Sequence, residues 1–358
     1  MNPALVSARA SALTPYTPGE QPQDKQYIKL NTNENPYPPA PGVQALLNDY
    51  RAEELRLYPD PQSLQLRRKI AERYRLSPEE VFTGNGSDEV LAFIFYAFFD
   101  AGNGPVLFPA HTYSFYPVYC NYYGLEYQKV PMADDFSIAL EDYCTIKEHA
   151  GVIFPNPNAP TGVTLSRSEI AGFLQSARDD RVYVVDEAYV DFGGESCSSL
   201  IREFPNLVVV HTFSKSRSLA GLRLGFAFGN PELIQTLFTV KDSFNSYPLN
   251  RLSQELAVRA LEDEEYFQEV RERVVSSRDY TVEELKKRGW RVLPSKANFI
   301  FAAAPVADGF TVYSDLKANG ILVRYFHHTG IKEFVRITIG TREQMNSLIS
   351  TLDSLYSK

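Results

Sequence analysis

At 358 residues, 44% of them apolar, the chain is long enough for one large domain with a smaller one beside it, and it has ample material for both cores. Its net charge of -8 argues against a nucleic-acid footprint but leaves room for a local basic pocket. Three scattered cysteines (Cys120, Cys144, Cys197) and five histidines (His111, His149, His211, His327, His328) show neither a disulfide framework nor metal-ligand spacing, so no metal is expected.

The N-terminal stretch MNPALVSARASALTPYTPGEQ has no apolar h-region, so no signal peptide is expected. Residues 1–40 are rich in Pro, Asn and Gly and read as an arm with little regular structure, in which Tyr16 and Asn33 stand out within LTPY and LNTNENP. Tyr58 follows in a Pro-flanked turn, YPDP. A helix is expected from about Ser63, with Leu64, Leu66, Ile70 and Tyr74 on its apolar face. The glycine-rich turn Thr83–Glu89 comes next, including Gly86, Ser87 and Asp88, and opens an apolar helix through Phe99. Free backbone N–H groups there suit a phosphate, in which case the acidic side chains must point away from it. Ser87 or Asp88 serves equally well as a plain N-cap. The run Val90–Phe99 is about half a membrane span and reads as a buried helix of a soluble, cytoplasmic protein.

Pro105–Pro109 reads as a buried strand with Tyr113 just beyond its end, where an aromatic stacks on a flat ring or simply fills core. Val152–Phe154 runs into the turn PNPNAPTG, in which the bond before Pro160 is a candidate cis bond. Arg181–Val185 is a β-branched strand delivering Asp186, followed by Tyr189; a carboxylate at such a strand end faces a ligand crevice or caps a helix. The strand Leu207–His211 leads into TFSKSRSLAGLRLG. Lys215 there either snorkels to solvent or forms a Schiff base with a carbonyl, while Thr212, Ser214 and Arg223 together supply donors for a phosphate ester. A second strand, Leu224–Phe228, follows. Tyr266–Gly289 reads as a long amphipathic helix. Asn298–Phe301, Ile321–Arg324 and Phe334–Gly340 read as strands of a small α+β domain, with Arg324 and Arg336 inside them as surface ion-pair partners or as anion ligands.

The stretch from Ser214 to Gly225 resembles the S-K-x-x-x-L-A-G-L-R-x-G signature of fold-type I pyridoxal-phosphate (PLP) aminotransferases. LTPY, LNTNENP, YPDP and RITIG, spread from Leu13 to Gly340, resemble the histidinol-phosphate aminotransferase family within them. The resemblance implies that Lys215 carries PLP, Asp186 pairs with its ring nitrogen, and Tyr189 donates to its phenolic oxygen. It also implies that Tyr113 stacks on the ring and that Gly86, Ser87, Asp88, Thr212, Ser214 and Arg223 surround the phosphate. Tyr58 would reach the PLP of a neighbouring subunit in a homodimer, while Tyr16, Asn33, Arg324 and Arg336 would face substrate. Ala159 departs from the family pattern, which has Asn immediately before Pro-Thr-Gly; Asn158 or Asn156 is the candidate replacement.

The expected fold is α/β: a mostly parallel, helix-covered sheet over residues 41–240 and a smaller α+β domain over 241–358, with the arm joining the small domain. The implied reaction moves the amino group of histidinol phosphate to 2-oxoglutarate, giving imidazole acetol phosphate and glutamate. An aromatic amino-acid aminotransferase is the alternative, and a non-catalytic PLP-binding regulatory module a more distant one. No G-x-G-x-x-G follows an early strand, which disfavours a nicotinamide dehydrogenase.

Overall fold

The computed structural model describes residues 5–356; the remaining ends of the expected arm and small domain lie outside the described residues. Thirteen strands carry the architecture. In chain order they are β1 (Ile28–Lys29), β2 (Val81–Gly84), β3 (Val106–Pro109), β4 (Tyr127–Val130), β5 (Gly151–Pro155), β6 (Val182–Asp186), β7 (Leu207–Thr212), β8 (Gly225–Gly229), β9 (Arg291–Val292), β10 (Phe299–Ala303), β11 (Ile321–Leu322), β12 (Arg324–Tyr325) and β13 (Phe334–Thr338).

The large sheet has seven strands in the order β2-β8-β7-β6-β5-β3-β4, all pairs parallel except the two made by β8. Buried on both faces, its inner strands are continuous apolar runs such as LVVVH rather than alternating ones. One apolar cluster fills the face that includes Val185, Val209 and Phe228; a second fills the opposite face, around Val184, Val208 and the helix Gly86–Phe98. The strand order reverses around β3, whose neighbours are β4 on one side and β5 on the other. Such a reversal opens a crevice beyond the carboxyl ends of the strands.

The smaller sheet is antiparallel, in the order β12-β13-β10-β9, and is covered by the helices Glu264–Lys287, Gly309–Ala318 and Arg342–Tyr356. The arm joins it: β1 pairs in parallel with β11, and Leu30 is buried in the same cluster as Val335 and Ile337.

Several expected bounds shift. The strand expected at Ile321–Arg324 is split at Val323 into β11 and β12, which belong to different sheets. The helix Arg251–Glu262 buries Leu256, Ala257, Val258, Ala260 and Leu261 in the large-sheet cluster and packs on the helices Pro41–Asp49 and Leu64–Tyr74. By packing, this part of the expected 241–358 unit goes with the large sheet. No helix among the described residues is long and apolar enough to cross a membrane.

Candidate active site

The carboxyl ends of β3, β5, β6 and β7 deliver their following residues to one cavity between the two sheets. It is lined by Thr112 and Tyr113 after β3, Ala159 and Pro160 after β5, Tyr189 after β6 and Lys215 after β7. The arm closes it with Tyr16 and residues 31–33, and the small sheet with Arg324, Phe326 and Arg336.

Lys215 is half-buried, its Nζ donating to Thr32 O at 3.3 Å and lying 5.8 Å above the Tyr189 ring. Its own carbonyl accepts from Asn35 Nδ2 at 3.2 Å, so the arm holds both ends of the residue. Asp186, the last residue of β6, is 4% exposed. Its carboxylate accepts from the Tyr116 hydroxyl at 3.0 Å and from Ala188 N at 3.2 Å. Neither donor is cationic, and burial pushes the carboxyl from an ordinary 3.8 to about 6 against the opposing pull of those hydrogen bonds. Tyr189 accepts from Asn33 Nδ2 at 3.0 Å and packs edge-on against Phe299.

Below Lys215 lies a cup. Gly84 and Gly225 face each other across β2 and β8, and a methyl group on Gly225 would collide with Ser87 N and the Gly86 carbonyl carbon. The Arg223 guanidinium crosses the N-terminus of the helix Gly86–Phe98: a Cβ on Gly86, whose φ is +82°, would sit 2.7 Å from Arg223 Nη2. Thr212 and Ser214 are buried alongside, linked Oγ1 to Oγ at 2.9 Å.

One expectation needs correction here. The acidic side chains of this turn do not all point away: Asp88 pairs with Arg223 at 2.8 Å and accepts from the Tyr113 hydroxyl at 2.9 Å. Glu89 instead turns back to accept from Asn85 N at 2.6 Å. Burial, then the Asp88 charge, raises the Tyr113 phenol well above its ordinary value, so its hydroxyl stays a donor.

In the turn after β5, the peptide bonds before Pro157 and Pro160 are both cis. Asn156 spends its amide within the loop, on Leu165 and Thr164. Asn158 donates to His111 O and Thr161 Oγ1, and its Oδ1 is buried with no partner among the described residues. That free atom is an acceptor and both Asn158 amide hydrogens are committed, so Asn158 does not replace a donor at the Ala159 position, and Asn156 turns its own amide into the loop.

Arg336 and Arg324 are directly opposed on β13 and β12. Like charges in that register are unfavourable without something between them. Arg336 lies between the Phe299 and Phe326 rings, donates to Asn31 O at 3.0 Å and leaves its Nε buried without a partner. Burial, with Arg324 adding to it, pulls its pKa down. Arg324 donates to the carbonyls of Thr17 and Pro18 and lies over the Phe326 ring. Among the described residues neither arginine has an ion-pair partner, which removes the bland reading of both.

Tyr58 is the residue that the fold does not bring in. It is 79% exposed and stacks on Tyr247 at 4.8 Å, away from the residues lining the cavity. Sequence reasoning in turn missed Asn35, Thr32 and Tyr116. The first two stood within a noted motif, but their contacts join positions about 180 residues apart; Tyr116 is one of 22 tyrosines, with no local signal.

The residue set fits PLP on its own geometry. A glycine-lined cup with an arginine and two hydroxyls suits a phosphate ester. A buried carboxylate without a cation suits a protonated ring nitrogen. A lysine with a single carbonyl contact suits a Schiff base.

The fold and this site define a PLP-type aminotransferase, and the chain belongs to the aminotransferase class I and II family, which it matches over residues 25–352. It is 54% identical to the histidinol-phosphate aminotransferase of Syntrophus aciditrophicus (strain SB), over 99% of this chain and 98% of that protein. It is 50% identical to the enzyme of the same name from Pseudomonas syringae pv. syringae (strain B728a), over 96% of this chain and 97% of that one. Among solved structures, histidinol-phosphate aminotransferase from Sinorhizobium meliloti in complex with pyridoxal-5'-phosphate superposes with a TM-score of 0.84 at 25% identity, covering 93% of this chain and 92% of that one.

Proposed function

We propose that this protein is a PLP-dependent transaminase acting on L-histidinol phosphate and 2-oxoglutarate, giving imidazole acetol phosphate and L-glutamate in histidine biosynthesis, in the cytoplasm. The observation that carries the substrate class is the opposed pair Arg324 and Arg336, which share a cavity with Lys215 and have no ion-pair partner among the described residues. A phosphate monoester or a dicarboxylate satisfies the orphaned guanidinium donors, and an arginine fork matches either anion. Full-length identity of about half to proteins named for this reaction supports the same choice.

PLP, when bound, supplies an electron sink conjugated to the substrate Cα. Lys215 would hold PLP, and its Nζ is the base placed to take the substrate's Cα proton. Asp186 retains the proton on the ring nitrogen. Tyr189 would donate to the phenolic oxygen, Tyr113 would cover the ring, and Arg223, Thr212 and Ser214 would hold the phosphate with the backbone N–H groups of Gly86, Ser87 and Asp88. Asp88 has a second task, fixing Arg223 and the Tyr113 hydroxyl. Tyr16 and Asn33 close the substrate side with Arg324 and Arg336. The arm and residues beyond the helix Arg251–Glu262 act as a small domain over the site. The working unit is a homodimer in which Tyr58 reaches the neighbour's phosphate; its exposure on an isolated chain supports this.

The test is a substrate panel in an assay coupled to 2-oxoglutarate turnover. Histidinol phosphate should be turned over with a kcat/KM well above that of phenylalanine; equal or reversed values would make the protein an aromatic amino-acid aminotransferase using the same residues.

A further inference from the structure

Asp186 is buried beside a second aromatic residue that the reaction has not yet used. Tyr116 is 0% exposed and opens the helix Tyr116–Tyr123. Its hydroxyl donates to Asp186 Oδ2 at 3.0 Å, and its ring is locked among Phe95, Phe108 and Tyr113. The opposite carboxylate oxygen, Oδ1, accepts from Ala188 N. The two donors together fix the plane of the carboxylate, and the Tyr116 hydroxyl is the single side-chain hydrogen bond on it among the described residues.

We propose that Tyr116 is a positioning residue for transamination, whose hydroxyl fixes the Asp186 carboxylate in one orientation and keeps it ionised where PLP's ring nitrogen meets it. The proposal rests on the reading of Asp186 as that nitrogen's partner. The physical need is clear: a buried carboxylate favours its neutral form, and a neutral Asp186 cannot balance a ring cation. A donor to the ionised form opposes this. The other groups facing Asp186 do not replace it. Asp88, on the helix Gly86–Phe98, pushes the proton affinity up. His211, on β7, acts weakly and is bound to Glu187 at 2.8 Å. Tyr119 spends its hydroxyl on Asp88 O, and Tyr113 spends its own on the Asp88 carboxylate.

The experiment is a PLP titration of the apoprotein across pH, read by absorbance, alongside steady-state kinetics. Binding by the wild type should weaken at acid pH as Asp186 takes up a proton. In Tyr116→Phe that acid limb should move to higher pH by about one unit, with kcat reduced about tenfold and KM within about twofold. Installing 3-fluorotyrosine at 116, a stronger donor of nearly the same shape, should move the limb the other way; it carries the test alone should the Phe variant not fold. Tyr143→Phe removes a buried hydroxyl that has no partner and should leave the limb in place. Asp186→Asn should lose the Asp186 part of the limb, leaving only the titration of PLP's own phosphate, which all variants share. If Asp186→Asn keeps the wild-type profile, the reading of Asp186 fails and the proposal falls with it. If Asp186→Asn loses the limb while both Tyr116 variants keep it in place, the role of Tyr116 alone is overturned.

Discussion

At the scale of single residues, Lys215 and Asp186 make the sharpest demands. Lys215→Ala should still bind PLP, because Arg223, Thr212, Ser214 and the glycine cup are untouched. Turnover should fall by the ~10²–10⁴ typical of a lost general base, or further, since the covalent anchor goes too. Borohydride reduction of the wild type followed by peptide mapping should find PLP on Lys215; a label on any other lysine would end the assignment. Asp186→Asn should fold but lose about one to two decades of kcat, the equivalent of a buried charged hydrogen bond of ~1.5–3 kcal/mol. Its stability should carry a pH signature. Burial raises the carboxyl from 3.8 to about 6, so the folded apoprotein holds this proton more tightly than the unfolded chain does. Its contribution therefore favours folding below about pH 4 and is lost as pH rises through about 6, a swing of at most about 3 kcal/mol. Asp186→Asn apoprotein should melt above wild type at pH 8, with the gap closing toward pH 4. Thermal melts of both apoproteins at the two pH values check this, and a gap that widens on acidification would contradict the burial argument.

At the scale of elements, two registers matter. The antiparallel pairing of β2 with β8 places Gly84 opposite Gly225 and brings the N-terminus of the helix Gly86–Phe98 against β8 with no room for a side chain. Gly225→Ala must displace backbone, because the Cβ meets Ser87 N rather than a movable side-chain tip. Overpacking of this kind costs about 1–3 kcal/mol, and here it also distorts the cup. PLP affinity, measured by fluorescence titration, should fall at least about tenfold; unchanged affinity would move the phosphate site elsewhere. The second register opposes Arg324 and Arg336 on β12 and β13. Arg336 is gripped by Phe299, Phe326 and Asn31 O, so Arg336→Met should raise KM in both half-reactions. Arg324 is held by two arm carbonyls and the Phe326 ring, nearer the cavity's outer side, and Arg324→Met should weaken the phosphate substrate more than 2-oxoglutarate. Single-turnover measurement of each half-reaction separates the two, and small, equal effects in both would place the anion pocket elsewhere.

At the scale of the whole molecule, the exposed Tyr58 is informative. It stacks on Tyr247, and Leu55 and Leu57, just before it in sequence, are exposed too. In the proposed homodimer, the two-fold partner would bring Tyr58 of one subunit to the phosphate cup of the other. Tyr58→Ala and Lys215→Ala, each impaired as a homodimer, should then complement when subunits exchange. A mixed dimer holds one doubly defective and one intact site, so activity should rise to about a quarter of wild type under statistical mixing. Verified exchange without recovery would confine Tyr58 to its own subunit's chemistry or to none.

Much of this was legible in the chain itself. The buried strands showed as continuous apolar runs because both faces of a parallel sheet are covered, while Lys215, Asp186, Tyr189 and Arg223 stood out through motifs that resemble the fold-type I family. The apolar patterning and that resemblance together determined the fold class, the cofactor chemistry and about half of the cavity wall. What they left open were pairings between distant segments. Asp88 turning onto Arg223, the arm's Asn35 holding the Lys215 carbonyl, and Tyr116 reaching Asp186 each join residues 70 or more positions apart. The opposition of Arg324 and Arg336 was left open as well, because it depends on where Val323 ends one sheet and β12 begins another. Local patterns record what a segment buries, but the partner of a buried polar group is chosen by sheet register and helix packing, and those were decided only by the tertiary structure.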